Sequence, residues 1–291
     1  MDPTTFRFPS DVDRFDLQGY RWPIDRPRAV VVLAHGAAEH SLRYARFAAA
    51  LNATAIDVWS LDHRGHGQSP GPEGLGDFGE GGWDGLVADI AQLVERARDD
   101  EPALPVILFG HSMGSFAAQQ LILDHSHAID ALILSGSGAR EPRTEGAPPP
   151  PGPNAAFEPA RTPYDWLSRD EAEVDKYIAD PLCGFETQTA RRRASSIDFA
   201  RLADPAALTG IRPELPILVV SGDQDPIGRN LEGLHLLERR YRDAGVSHID
   251  TQYYEGGRHE MLNEINRDEV TANIVAWLDA VIAGQPRPAE A

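Results

Sequence analysis

Phe109-Gly110-His111-Ser112-Met113-Gly114-Ser115 is the stretch on which the fold turns. Its centre, Gly-His-Ser-Met-Gly, matches G-x-S-x-G, the pattern of a serine carried on a sharp turn between a strand and a helix. Residues 105–109 (PVILF) form a short continuous apolar run, as a strand buried on both faces of a parallel sheet does. Residues 115–123 (SFAAQQLIL) have helical composition, with Phe116, Leu121 and Leu123 to bury. The five-residue match is weak by itself in a Gly-rich chain; the flanking strand and helix give it meaning. Gly110 and Gly114 allow strand and helix to approach closely. The N–H of Met113 then points into the site at a helix N-terminus, where negative charge is favoured.

Outward from this turn the chain alternates strands and helices. Residues 4–9, 17–24, 29–34, 55–61, 105–109, 130–135, 216–221 and 246–254 read as eight strands. Helical spacing recurs after Ser41, which is placed to cap it, and over residues 83–98, 115–123, 231–241 and 269–282. Such alternation predicts an α/β sheet, mostly parallel, with helices on both faces and the site outside the carboxyl ends of the strands. The pattern breaks between about 138 and 206. Residues 147–152 hold four consecutive prolines, read as a mobile entry loop, and 164–202 hold short helical patterns with scattered aromatics. The expected organisation is a core over 1–137, an inserted helical cap over 138–206, and the rest of the core over 207–291, with a frayed tail from 284.

The 291 residues suffice for a large core, and 42% hydrophobic with 25% charged residues is ordinary globular composition. The formal charge of −18 argues against nucleic acid and against electrostatic docking on anionic lipid. Cys183 is the only cysteine, so no intrachain disulfide forms, as suits a reducing compartment. No apolar run resembles a signal peptide or a membrane span. A cytoplasmic protein is expected, without stable membrane insertion.

A serine nucleophile needs a base, and the base needs an orienting acid. Of the ten histidines, His235, His248 and His259 follow the strand at 216–221. His259 sits in a Gly-rich loop after the last strand, the place from which to reach Ser112; His235 falls within a helical pattern and His248 at a strand start. Ser221-Gly222-Asp223-Gln224-Asp225-Pro226 supplies two acids. Asp225 precedes a proline and is biased to an extended loop tip, whereas Asp223 suits capping the turn; Asp225 is favoured. The two oxyanion N–H groups fall to Met113 and, from the loop after residues 29–34, to Ala37. Asp62, His63 and His66 match no metal-ligand spacing, and Gly65 and Gly67 suit a tight turn. His111 reads as a packing neighbour of the serine, and Cys183 as a buried small hydrophobe. No metal or organic cofactor is expected.

Four segments, in order, resemble the monoacylglycerol lipase and bacterial lysophospholipase branch of the α/β hydrolases, the serine aminopeptidase S33-like group. Residues 35–40 (HGAAEH) resemble its H-G-x-G-E-H loop, 61–69 (LDHRGHGQS) its D-x-x-G-H-G-x-S turn, 110–114 its G-H-S-M-G turn, and 255–259 (EGGRH) its E-G-x-x-H loop. Residues 180–184 (DPLCG) are similar to a run in the cap of bacterial members. The resemblance implies an α/β-hydrolase fold, a triad of Ser112, Asp225 and His259, and an oxyanion hole of the Ala37 and Met113 N–H groups. It implies hydrolysis of carboxylic esters, foremost of single-chain acyl lipids such as monoacylglycerols. Lysophospholipids or small esters are the alternative substrates, and a slow-turnover ligand-binding protein the alternative outside enzymes. A lipid ester is thus the expected partner, reached by transient contact of the cap with a lipid surface. Ala38 departs from the pattern: it stands where the group usually has glycine, and an alanine at positive φ is strained.

Overall fold

The structure is a computed structural model and describes residues 2–140, 152–186, 197 and 199–284. Eight strands form one sheet: β1 (Thr4–Pro9), β2 (Asp16–Trp22), β3 (Ala29–Ala34), β4 (Ile56–Asp62), β5 (Val106–His111), β6 (Ala131–Ser135), β7 (Ile217–Gly222) and β8 (Ile249–Tyr254). Their order is β1-β2-β4-β3-β5-β6-β7-β8. The β1–β2 and β2–β4 pairs are antiparallel, and every later pair is parallel. This is the α/β-hydrolase arrangement.

The central strands are buried along their whole length because both faces are covered. Alternation divides them between two cores. Val30, Val32 and Ala34 of β3, with Leu132 and Leu134 of β6, face one side. There they meet α2 (Gly82–Asp100) and α3 (Met113–His125) through Leu86, Ile90 and Phe116. Ala29, Val31, Leu33 and Ile133 face the other side. They meet Phe47 and Leu51 of α1 (Ala45–Asn52) and Ile274 and Leu278 of the C-terminal helix Arg267–Gly284.

Several boundaries differ from expectation by a few residues, three of them for a visible reason. Strand β2 stops at Trp22, ahead of Pro23, which has no N–H for the ladder. Ser41 does not cap a helix. It begins a 3₁₀ turn, Ser41–Tyr44, its N–H donates to Asp62 Oδ1 (2.9 Å), and its hydroxyl accepts from Ser60 Oγ (2.8 Å). Val246 donates its N–H to Tyr241 O and so closes the preceding helix, which delays β8 to Ile249.

Between β6 and β7 the described residues hold a 3₁₀ turn, Pro153–Phe157, the helix α4 (Glu171–Ala179) and a single helical turn, Pro205–Leu208. Asp170 caps α4 by accepting from the N–H groups of Ala172 and Glu173. A 3₁₀ turn, Ala200–Ala203, then leads back to the sheet. Residues 164–168, read as part of a helical pattern, form a turn and irregular chain with no helix. The proline run expected to form an entry loop, and the tail beyond Gly284, lie outside the described residues. After β7 comes α5 (Glu232–Asp243); the C-terminal helix Arg267–Gly284 is α6.

Candidate active site

Ser112 stands between β5 and α3 with φ 50° and ψ −116°, a conformation that L residues seldom adopt. Its N–H donates to Ser135 O (2.9 Å) on β6, and Gly114 N–H donates to His35 O (3.1 Å) after β3, so neighbouring strands pin the turn. A Cβ at Gly114 would lie 2.2 Å from Ala34 O, which explains the glycine there by close approach. Met113 is the first residue of α3, so its N–H has no partner within the helix. Met113 and Ala37 line the same cavity as Ser112.

The structure brings His259 and Asp225 together. His259 Nδ1 lies 3.0 Å from each oxygen of Asp225, and both side chains are buried. Asp225 also accepts the N–H of Ile227 (2.9 Å), which fixes its carboxylate. Asp223 serves its own loop instead: Oδ1 accepts from Gly256 N–H (2.9 Å) and Gln224 Nε2 (3.1 Å). His235 and His248 are exposed. His259 and Ser112 line one cavity, and the Ser112 hydroxyl forms no hydrogen bond among the described residues. Gly136 (φ 56°) passes under the His259 ring, where a Cβ would sit 2.8 Å from Cε1.

Three further features surround this pair; of these, only the packing of His111 beside the serine was expected from the sequence. The Trp166 ring packs on His259 at 4.7 Å between centroids, and His259 N–H donates to Trp166 O (3.3 Å). His111 packs on the other side at 4.7 Å, with Nδ1 3.3 Å from Ser135 Oγ. Burial, helped by His259, pushes the His111 imidazole down to about 4, so it is neutral at pH 7. Third, Arg43 joins two buried carboxylates. It donates to Glu39 Oε2 (2.5 Å) and in bidentate fashion to Glu260 (2.7 Å each), the residue after His259. Glu39 in turn accepts from Gly36 N–H (2.5 Å) and Tyr44 Oη (2.7 Å). Burial raises the Glu39 pKa, but Arg43 and nearby groups outweigh it and hold the carboxyl at about 2. The loop over residues 35–40 and the loop that carries His259 are thus tied to one guanidinium. Glu39 is visible in the HGAAEH run, but its pairing with Arg43 and Glu260 is set by packing.

Ala38 has φ 53°, so alanine takes the left-handed conformation that glycine would take freely. The insert holds it there: its carbonyl accepts from Gly184 N–H and Tyr177 Oη, each at 2.9 Å. Asp62 accepts from Tyr20 Oη (3.0 Å), Ser41 N–H (2.9 Å) and Gln68 N–H (2.8 Å), which makes it a turn anchor. His63 and His66 pack with His35 in a buried ring cluster, where burial pushes His66 down to about 3. Among the described residues, the ligand atoms of His40, Asp180 and Cys183 lie within 4.8 Å of one another. His40 Nε2 already bonds Asp180 Oδ2 (2.9 Å), and burial raises the Cys183 thiol pKa, leaving it protonated and a poor ligand.

Two cavities meet at Ser112. One of ≈ 640 Å³ is mostly apolar, walled by Phe78, Met113, Phe116, Phe199 and Ile227. The other, ≈ 230 Å³, is smaller and bears Glu39, His111, Tyr164, Tyr177 and Glu260. No helix among the described residues is long and apolar enough to cross a membrane.

Comparison with known proteins bears on the family and the fold. The family profile described as serine aminopeptidase, S33, matches residues 25–266. The chain is 34% identical over 265 residues to a monoacylglycerol lipase of Mycolicibacterium smegmatis, covering 88% of this chain and 90% of that protein. Among solved structures it is similar to a highly thermostable carboxyl esterase from Bacillus coagulans, in complex with glycerol. The TM-score is 0.82 at 26% identity, covering 97% of this chain and 99% of that one. A soluble variant of monoglyceride lipase from Saccharomyces cerevisiae shares the fold, with a TM-score of 0.77 at 18% identity over 97% of this chain and 95% of that one.

Proposed function

The chain belongs to the serine aminopeptidase S33 family, and on that premise we propose that it hydrolyses carboxylic esters of single-chain acyl lipids, monoacylglycerols foremost, through an acyl-enzyme on Ser112. The observation that carries the reading is His259 Nδ1 seated between both oxygens of Asp225 beside a serine on a strained turn. His259 takes the proton of Ser112 Oγ as the oxygen attacks the ester carbonyl. The N–H groups of Ala37 and Met113 receive the oxyanion. The protonated imidazole then gives its proton to the leaving alcohol. Water, deprotonated by the same ring, attacks the acyl group and frees the serine. Asp225 fixes the tautomer with Nδ1 protonated and stabilises the imidazolium.

The two cavities divide the substrate. The larger, apolar one suits the acyl chain; the smaller one suits the alcohol. Glu39 and Glu260 share a single Arg43 beside the smaller cavity, so its charge disfavours a phosphate head group and favours neutral glycerol. Residues 138–206 act as a cap between core parts 1–137 and 207–291. Support comes from Tyr164, Trp166, Tyr177 and Phe185, which wall the site from above. Ile178 on α4 is 47% exposed and is the place from which the cap would touch a lipid surface. We assign the protein to the cytoplasm, where its single thiol stays reduced. The test is kcat/KM across monoacylglycerols and simple esters of rising acyl length, with a lysophospholipid and a triacylglycerol as comparators. Rates should climb with chain length, each buried CH₂ contributing up to about 0.8 kcal/mol. A preference for acetyl or butyryl esters would identify a small-ester carboxylesterase, and faster cleavage of the lysophospholipid would reverse the head-group assignment.

A further inference from the structure

We propose that Arg140 is a specificity-determining residue of the larger cavity, placed to receive a carboxylate carried on the acyl portion of the ester. Among single-chain acyl esters, monoacylglycerols included, those whose acyl chain ends in a carboxylate, half-esters of dicarboxylic acids, would then be favoured over their methyl-ended counterparts. The proposal deepens the function above and rests on Ser112 as the acyl acceptor. Arg140 leaves the sheet in the loop after β6 and lines the cavity that also holds Ser112. Its backbone is anchored, since its carbonyl accepts from Arg240 Nη1 (2.7 Å). Its guanidinium carbon lies 4.0 Å from the centre of the Phe116 ring and 5.5 Å from that of Phe199, two walls of the same cavity.

Other arginines around the site have hydrogen-bonded partners: Arg43 pairs with Glu39 and Glu260, Arg64 with Asp13 and Asp89, Arg169 with Glu264, and Arg258 donates to the carbonyls of Asp165 and Ser168. Arg140 differs. Its Nε is buried without a hydrogen-bond partner, and among the described residues no carboxylate forms an ion pair with it. Glu186 lines the same cavity, and the nearby charges felt at the guanidinium are those of Asp225 and Arg229. Burial lowers its affinity for its proton, which the Asp225 charge opposes, but an arginine stays charged at neutral pH. Arg140 is partly buried, and a buried Nε with no partner on an unpaired cation is unfavourable unless something compensates it. Stacking on aromatic faces compensates in part and occupies only the flat side of the guanidinium. Its N–H groups point outward in the ring plane, a fork that matches the two oxygens of a carboxylate. A chain running from Ser112 past Phe116 would bring its far end to this fork. Hydrolysis would then proceed as above and release a free dicarboxylic acid.

The experiment uses matched pairs of p-nitrophenyl esters: octanoate against the half-ester of octanedioic acid, with succinic, adipic and sebacic half-esters and their methyl-ended counterparts to vary reach. At one length the carboxylate ester should exceed its counterpart in kcat/KM by about tenfold or more, mostly through KM. Arg140→Gln should abolish that gain while the methyl-ended ester changes by less than about threefold, and Arg140→Lys should keep part of it. Preference for the methyl-ended ester at every length, or a gain that survives in Arg140→Gln, would overturn the proposal. Should Arg140→Gln fail to fold, the wild-type ratio alone decides. Loss of turnover for both esters would instead count against Ser112. In that case, calorimetric binding of octanedioic acid monomethyl ester against methyl octanoate to the Ser112→Ala protein reads the anion preference without chemistry, and equal affinities would refute it.

Discussion

The two walls of the site are held by different forces. Beneath Ser112 lies the sheet, where β3, β5, β6 and β7 bury nearly every side chain in two continuous apolar cores. A Leu→Ala change in such a core costs about 2–5 kcal/mol. Above Ser112 lies the insert, whose own buried apolar cluster among the described residues is Leu167, Tyr177 and Cys183, while Ala139 and Leu202 at its two ends join the core below. It is attached chiefly by polar ties: Arg46–Glu173 (3.0 Å), Arg169–Glu264 (2.9 Å), Arg267–Asp170 (2.6 Å) and the bonds to Ala38 O. Partly exposed ion pairs contribute about 0–1 kcal/mol each and weaken with salt. The difference assigns roles. Parts that must not move, the strained serine and the Asp225–His259 pair, rest on the sheet. Parts that wall the cavity from above, such as Tyr164 and Trp166, rest on ties that can be released singly.

The largest effect should come from the sheet-borne pair. Asp225→Asn should lower kcat by about 10³–10⁴ through loss of the correct tautomer. Asp223→Asn should cost less than about tenfold, because Asp223 serves only the Gly256 turn. Rates of both variants on one ester check this, and the reverse ranking would remove Asp225 from the triad.

Acid should loosen the lower wall next. His35, His63, His66 and His111 are buried with lowered pKa values. Above pH 6.5 both folded and unfolded chains hold them neutral. As pH falls the unfolded chain binds protons that the folded one refuses, until about 4 for His111. Stability should therefore drop between pH 6.5 and 4, with about 3 kcal/mol from His111 alone. Urea melts across this range, repeated on His111→Asn, measure it; a flat profile would show that these rings are accessible to solvent protons.

A smaller and local effect should mark the upper wall. Arg267→Met cuts the tie to Asp170 and should move the thermal midpoint by less than about 2 °C. Amide exchange over residues 171–179 should quicken while β3 and β5 stay protected. Equal quickening in the strands would mean that the two walls unfold as one unit. Smallest is Ala38→Gly, which relieves the positive φ and should stabilise by up to about 1 kcal/mol, less the entropy that glycine adds to the unfolded chain. A clear loss of stability would mean that contacts of the Ala38 methyl outweigh the strain.

The sheet was legible because strands buried on both faces must be apolar throughout, as in residues 29–34 and 130–135. The serine turn was legible because close approach demands glycine at fixed offsets. Asp225 was separable from Asp223 by the proline that follows it. Arg140 was not legible: its meaning lies in the missing partner and the rings beneath it, and neither leaves a periodicity. Nor was the Glu39–Arg43–Glu260 link, in which the Arg43–Glu260 contact joins residues 217 apart. The insert resisted reading because turns and irregular chain tied by polar groups, such as residues 164–168, carry the same scattered aromatics as an amphipathic helix.

The central claim is that Ser112 is acylated. Rapid quenching of the protein with a p-nitrophenyl ester, followed by peptide mass spectrometry, tests it most directly. The account predicts an acyl adduct on the peptide containing Ser112, and in Ser112→Ala no adduct, an unchanged thermal midpoint and turnover reduced by about 10⁴–10⁶. Undiminished hydrolysis by Ser112→Ala, or an adduct on another residue during normal turnover, would contradict it.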